Sequence, residues 1–225
     1  MKPFTVIDAP QRSNEWFAAR CGRLTSSCAD LLFKEGRKKG TESVQRRDLR
    51  IRLALERVTG VPMDDDDAKS KDMQRGIDRE ADARLAYEAA CGVLVEQVGF
   101  ISHNTLLVGS SPDGVADVTA EGIEGIVELK CPKSATHIEY LRTKAIPDEY
   151  LAQIRHHVWV SGAQWCDFVS FDDRMPAHLQ LVVYHVTREA LELSAYEAAV
   201  HAFLKEVDAE VEALKALRAP EQAVA

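Results

Sequence analysis

The sequence predicts an α/β fold in which a mixed, largely antiparallel sheet is flanked by helices. Three observations predict it. Short runs rich in β-branched and aliphatic residues follow one another between positions 93 and 131. Helix-periodic segments stand before them, at 41–59 and 70–91, and after them, at 148–162 and 187–218. Two more strand-like runs, 165–171 and 179–186, lie between those last two helices. Strands in succession with helices at both ends describe one layer of sheet covered by helices. With 225 residues, no internal repeat and no long linker, the chain reads as one domain over 1–225.

The elements follow from local chemistry. Residues 13–20 and 25–33 form two short helices broken near Gly22, with Ser13 capping the first and Trp16 and Phe17 on its inner side. The helix at 41–59 stops at Gly60 before Pro62. Asp64 to Asp67 make an acidic, solvated loop, because successive side chains diverge too much to share an ion. The helix at 70–91 ends at Gly92, with Leu85, Ala89 and Ala90 inward and Glu80 near its middle. Strands follow at 93–102, 106–110, 115–118 and 125–131, the first two as a hairpin turning at His103-Asn104. A short helix at 134–144 precedes the helix that begins after Pro147 and ends at Gly162. The last helix carries Leu191, Ala195, Ala199, Phe203, Val207, Val211 and Leu214 at helical spacing, a stripe for the core or a subunit contact.

Composition excludes several classes. The chain is 46% hydrophobic and 28% charged, enough for a sizeable core. No apolar run approaches the roughly 20 residues that span a membrane. The first residues, Met1 to Asp8, lack a signal-peptide pattern, so the expected location is cytoplasmic. Five scattered cysteines without a Cys-x-x-Cys pair suit free thiols rather than disulfides or zinc. Net charge is −8. The segment from Lys34 to Arg57 nevertheless holds nine basic and four acidic side chains. A basic lining with an acidic outside is compatible with phosphate binding, although by itself the segment reads as a solvated helix face.

Two short segments carry the chemistry: Ser111-Pro112-Asp113-Gly114 and Glu128-Leu129-Lys130. Pro112 fixes φ and Gly114 relieves strain, placing Asp113 at a turn. Glu128 and Lys130, two apart on a strand, point the same way. Singly, Asp113 is a turn residue and Glu128 with Lys130 an exposed ion pair. Together, on the otherwise apolar strand Gly125 to Cys131, the charges need a reason. Two acids beside an amine suit a divalent metal facing a phosphate, with Asp113, Glu128 and the Leu129 carbonyl as hard oxygen ligands. Lys130 would orient or deprotonate the attacking water. His156 and His157 are adjacent on a helix, cannot share a face, and are taken as structural or surface residues.

These residues resemble the lambda-phage exonuclease family, also called viral recombinases or alkaline exonucleases, of the restriction-endonuclease-like superfamily. The nuclease motif is Ser111 to Gly114 followed by Glu128-Leu129-Lys130-Cys131-Pro132. Trp16-Phe17-Ala18-Ala19-Arg20, Gly22 and Thr25-Ser26-Ser27 resemble the N-terminal signature. Arg75-Gly76 with Glu80 resembles the Gly-x-x-x-Glu helix, and Tyr150-Leu151-Ala152-Gln153-Ile154 the helix after the core. The match covers about residues 13–171.

The resemblance implies a restriction-endonuclease-like sheet and a metal-dependent 5′→3′ exonuclease. Such an enzyme resects linear double-stranded DNA, releases 5′-phosphomononucleotides and leaves 3′ tails for strand annealing. It implies that Asp113, Glu128 and the Leu129 carbonyl hold two Mg²⁺ ions, with Mn²⁺ a substitute. Glu80 would complete the acidic cluster, Lys130 would be the catalytic lysine, and Gln153 would hold the water or the lysine. Arg20, Ser27 and Ser111 would bind the 5′-terminal phosphate. It also implies a processive homotrimer ring, a single-strand annealing partner, and a bore lined by Arg46, Arg47 and Arg50. A restriction-type endonuclease of the same superfamily and a non-catalytic DNA-binding clamp are the alternatives. An iron–sulfur nuclease is disfavoured because only Cys166 lies beyond Cys131.

Overall fold

The chain passes from one sheet to another at the segment that carries Asp113, and this crossing organises the molecule. The structure, a computed structural model, describes residues 3–63, 71–120 and 122–217; the acidic loop Asp64 to Asp67 lies outside them. The first sheet contains β1 (Phe4–Ile7), β2 (Leu24–Thr25), β3 (Phe100–His103) and β4 (Val108–Ser110). The second contains β5 (Gly114–Val118), β6 (Ile123–Lys130), β7 (Trp165–Phe171) and β8 (Leu181–Thr187). Spatial orders are β1-β3-β4-β2 and β5-β6-β7-β8. Pairing is antiparallel except β2 with β4 and β6 with β7.

The helices are α1 (Asn14–Arg20), α2 (Val44–Thr59), α3 (Lys71–Cys91), α4 (Ser134–Thr143), α5 (Asp148–Ser161) and α6 (Leu193–Ala216). The parallel pair β6 and β7 needs a long crossover, and α4 and α5 form it. This route lays α5 beside the strand that bears Glu128 and Lys130.

The mixed, largely antiparallel α/β class holds, with differences from the sequence reading. There are two sheets rather than one. Pro112 has no N–H to continue a ladder, so β4 ends before it and β5 begins after it. Strand β1 was not anticipated; four residues carry too little alternation to be read. Residues 93–99 are not strand, apart from a bridge between Glu96 and Val115. Residues 26–33 are 3₁₀ rather than α-helix.

Among the described side chains of α3 the buried ones are Ala83 and Tyr87, which cover Val127, Leu129, Val169 and Phe171. Leu85 and Ala89, expected inward, are exposed because the helix turns its opposite face to the sheet, and Ala90, also expected inward, is exposed in the last turn. On α6 the buried stripe is Tyr196, Val200, Phe203, Leu204, Val207 and Val211, and Tyr196 takes the inward place expected of Ala195, which is exposed. The stripe belongs to the main core, together with Leu49 and Leu53 of α2.

Gly22 fixes the bend after α1. Its φ is +69°, and a Cβ there would meet Arg57 Cγ at 2.7 Å. Its N–H donates to Glu56 Oε2 at 2.7 Å and its carbonyl accepts from Arg57 Nε at 2.8 Å. The bend aims Arg20 at the segment Thr25 to Ser27.

Candidate active site

Asp113 lies in the crossing between β4 and β5, and its Oδ2 accepts the Leu129 N–H at 2.7 Å. The turn acid is thus tied to the residue between Glu128 and Lys130. Glu128 is 1% exposed. Its Oε1 accepts from the Lys130 ammonium and from Gln153 Nε2, the latter at 2.6 Å. The Tyr150 ring lies 5.0 Å from the Lys130 nitrogen, a cation–π distance.

Electrostatics separates the two acids. Burial, then the charge of Glu128, pushes the Asp113 carboxyl well above the usual carboxylate range. Burial also pushes Glu128 up, but Lys130 and His157 outweigh it and hold Glu128 down at about 2. Burial pulls Lys130 down, and Glu128 and Asp113 more than reverse that, so its pKa rises. Lys130 in this arrangement is an ammonium that offsets Glu128; the part of a base would require that pairing to change.

Glu80 approaches from α3. Burial raises its pKa, while Arg12 and Lys130 oppose the rise. An Arg12 Nη stands 3.9 Å from it. Both border a cavity of about 320 Å³, so this acid stands at an opening rather than in the core.

His157 joins this group, contrary to the sequence reading. Its Nε2 is 2.9 Å from Glu128 Oε2, and its Nδ1 is 2.6 Å from Ser110 Oγ. The signal was in the sequence. His157 is four residues after Gln153, on the same helix face. His156 turns instead to Tyr196 Oη at 2.7 Å and the Gly109 carbonyl at 3.0 Å.

The expected phosphate residues also meet. An Arg20 Nη lies 3.5 Å from both Thr25 Oγ1 and Ser27 Oγ. Its guanidinium carbon is 4.0 Å from the Trp16 ring centroid, and Trp16 Nε1 donates to Ser111 Oγ at 2.9 Å. Trp16 therefore bridges Arg20 and Ser111, a link that spacing does not reveal.

Arg46, Arg47 and Arg50 of α2 are paired with acids. Arg46 pairs with Glu42 at 2.7 Å and Glu206 at 2.8 Å. Arg50 pairs with Glu42 at 3.1 Å and with Glu210. Acids of α6 offset the charges of Arg46 and Arg50, because α6 packs along α2. Arg47 faces outward and pairs with Asp48 at 2.8 Å.

Among the described residues, no three His, Cys, Asp or Glu side chains form a ready metal cluster. The donors fit a hard cation nonetheless. Two carboxylates share one poorly hydrated space, and Asp113 bears the cost in its raised pKa. Burial pushes the neighbouring thiols up, Cys131 to about 12 and Cys166 well above its usual range, so both stay protonated and the oxygen donors suit Mg²⁺ or Mn²⁺ over zinc.

A model of the YqaJ-like viral recombinase domain matches residues 15–164, which include every side chain named around Glu128 and Arg20. The chain belongs to the YqaJ-like viral recombinase family. No curated protein matches this family member. It is similar to an alkaline exonuclease, LHK-Exo, from Laribacter hongkongensis, at 36% identity and TM-score 0.77, over 90% of this chain and 96% of that one. The same enzyme in complex with dAMP gives 37% identity and TM-score 0.76 with equal coverage. A phage-related exonuclease from Haemophilus somnus 129PT shares the fold at 16% identity and TM-score 0.61, over 85% and 96% of the two chains. Among the described residues of this YqaJ-like chain, no helix is long and apolar enough to cross a membrane.

Proposed function

We propose that this chain is a DNA exonuclease that resects linear duplex from the 5′ end. The products are 5′-phosphomononucleotides and a 3′ single-stranded tail for a strand-annealing partner. The observation that carries the reading is the joining of Asp113 to Glu128 and Lys130 through the Leu129 N–H. Family membership and the likeness to alkaline exonucleases support it.

The residues divide the work. Asp113, Glu128 and the Leu129 carbonyl would hold the divalent cations, expected as two per site, with Glu80 at the opening. Bound there, Mg²⁺ or Mn²⁺ supplies charge neutralisation at the phosphate and a more acidic water. Lys130 would orient the attacking water beside the scissile phosphate, and Gln153 fixes the Glu128 carboxylate. Arg20, Ser27 and Ser111 receive the 5′-terminal phosphate, where a guanidinium and two hydroxyls match its charge and acceptors. A homotrimer ring would keep the duplex threaded between cuts.

The decisive experiment follows end-labelled linear duplex with Mg²⁺, in parallel with closed circular DNA. Loss of the 5′ label first, with circles intact, is the expected result. Asp113→Ala, Glu128→Ala and Lys130→Ala should each abolish cleavage. Cut circles would point to an endonuclease, and full activity in any of the three variants would overturn the site.

A further inference from the structure

Behind Glu128, on the side away from Lys130, lies a chain of polar groups with no exposure to water. Ser110, the last residue of β4, is 0% exposed, as is His157 on α5. Ser110 Oγ and His157 Nδ1 are 2.6 Å apart. With the Ser110 hydroxyl donating to Nδ1, the ring proton sits on Nε2 and faces Glu128. Nε2 and Glu128 Oε2 are 2.9 Å apart but not aligned as a hydrogen bond, and among the described residues neither has another hydrogen-bonding partner. A buried polar atom left unmatched costs stability, so these two have each other to satisfy.

We propose that His157 is a positioning residue: fixed by Ser110, it clamps the buried oxygen of Glu128 and sets the carboxylate for cation binding. This rests on the exonuclease reading above. The three groups come from β4, α5 and β6, and Ser110 lies three residues before Asp113. The clamp therefore couples the placement of both acids. Gln153 and Lys130 hold Oε1 at the open side. Without the ring, Oε2 would be free to turn, and the carboxylate would meet a cation in more than one pose. Partners that orient a metal ligand in this way typically contribute about 10–100-fold to affinity or activity.

The test compares wild type with His157→Leu, His157→Gln and Ser110→Ala. Mn²⁺ binding is measured by titration calorimetry without DNA, and digestion of a 5′-phosphorylated linear duplex gives kcat and KM. His157→Leu should weaken Mn²⁺ binding by about 10–100-fold and lower kcat, with KM for DNA unchanged. His157→Gln, whose amide reaches the same oxygen, should recover most of both. Ser110→Ala should fall between.

Wild-type Mn²⁺ affinity in folded His157→Leu overturns the clamp. So does a His157→Gln variant as impaired as the leucine variant, since bulk rather than the donor would then matter. If His157→Leu does not fold, unchanged Mn²⁺ affinity in Ser110→Ala overturns it. A wild-type protein that neither binds Mn²⁺ nor cuts DNA overturns the exonuclease reading as well; one that binds and cuts, with indifferent variants, overturns the clamp alone.

Discussion

Gln153 donates its amide N–H to Glu128 across the interface between α5 and β6, at 2.6 Å, on the oxygen that also takes the Lys130 ammonium. The amide thus fixes which way the carboxylate faces while leaving the ammonium at the open side. Gln153→Ala should lower kcat by about 10–100-fold. Gln153→Glu should be worse, because it sets a second carboxylate against Glu128. Binding to DNA ends in EDTA, measured by anisotropy, should stay near wild type for Gln153→Ala. Equal losses in binding and turnover would mean that the helix, not the amide, had been disturbed.

Asp113 and the buried Glu128 are two like-charged acids, and the ammonium near them, Lys130, pairs with Glu128. Asp113→Asn removes the like-charge repulsion and keeps an oxygen for the Leu129 N–H. Cleavage should be lost while thermal stability rises. A gain of about 1 kcal/mol corresponds to a Tm increase of roughly 2–4 °C for a chain of this size. A lower Tm at neutral pH would show that the ionised acid stabilises the fold without a cation, contrary to this account.

His156 is fully buried, and burial, then the neighbouring His157, pulls its pKa down to about 3. Unfolded, the ring titrates near its ordinary value of about 6.5. Between these values the unfolded chain binds the extra proton. The stability contribution is therefore complete above pH 6.5 and is lost as pH falls toward 3. The slope from this one group is about 1.4 kcal/mol per pH unit. Urea titrations between pH 7 and 4 should show it, and His156→Gln should flatten the curve. An unchanged slope in that variant would assign the acid sensitivity to other groups.

Much of this site was legible because its chemistry is carried by short segments. Pro112 and Gly114 around Asp113, and the two-residue step from Glu128 to Lys130, use rules that act within a few positions. Gln153 and the Arg20 pocket became readable through resemblance. Two kinds of information were missing. His157 and Trp16 act through contacts with Glu128 and Ser111, on elements distant in the sequence, and tertiary packing alone brings them together. The charges of Arg46 and Arg50 were visible, but their neutralisation by Glu206 and Glu210 depends on α6 lying along α2. A local excess of positive charge says nothing about partners some 160 positions away.

Arg46 and Arg50 are therefore expected to serve stability more than DNA. Each is about one fifth exposed and shares carboxylates with its neighbour. Reversing Arg46 to Glu should cost about 1 kcal/mol or somewhat more, above the usual range for an exposed pair because the contact with Glu206 is bidentate. Arg46→Glu with Glu206→Arg should restore part of the loss. Arg47→Glu should leave Tm nearly unchanged, since among the described residues Arg47 pairs only with exposed Asp48. If DNA passes near this helix, Arg47→Glu shortens the run of nucleotides removed per binding event without slowing the first cut. Processivity measured against a heparin trap reads this directly, and equal effects on both would place Arg47 in general DNA attraction.

The bridge from Arg20 through Trp16 to Ser111 gives the proposed end-binding pocket a specific signature. A 5′-terminal phosphate carries more charge than a 5′-hydroxyl and offers more acceptors to a guanidinium. Wild type should digest the phosphorylated end faster. Arg20→Ala should lose most of that preference, while its rate on the hydroxyl end changes little. Trp16→Phe keeps an aromatic face for Arg20 but cannot donate to Ser111. It should give an intermediate preference, and Trp16→Ala a preference nearly as weak as Arg20→Ala. The measurement is the ratio of initial rates on two duplexes that differ only at the 5′ terminus. An Arg20→Ala enzyme that still discriminates between them would remove the pocket from this part of the structure and leave the stacking of Arg20 on Trp16 as packing alone.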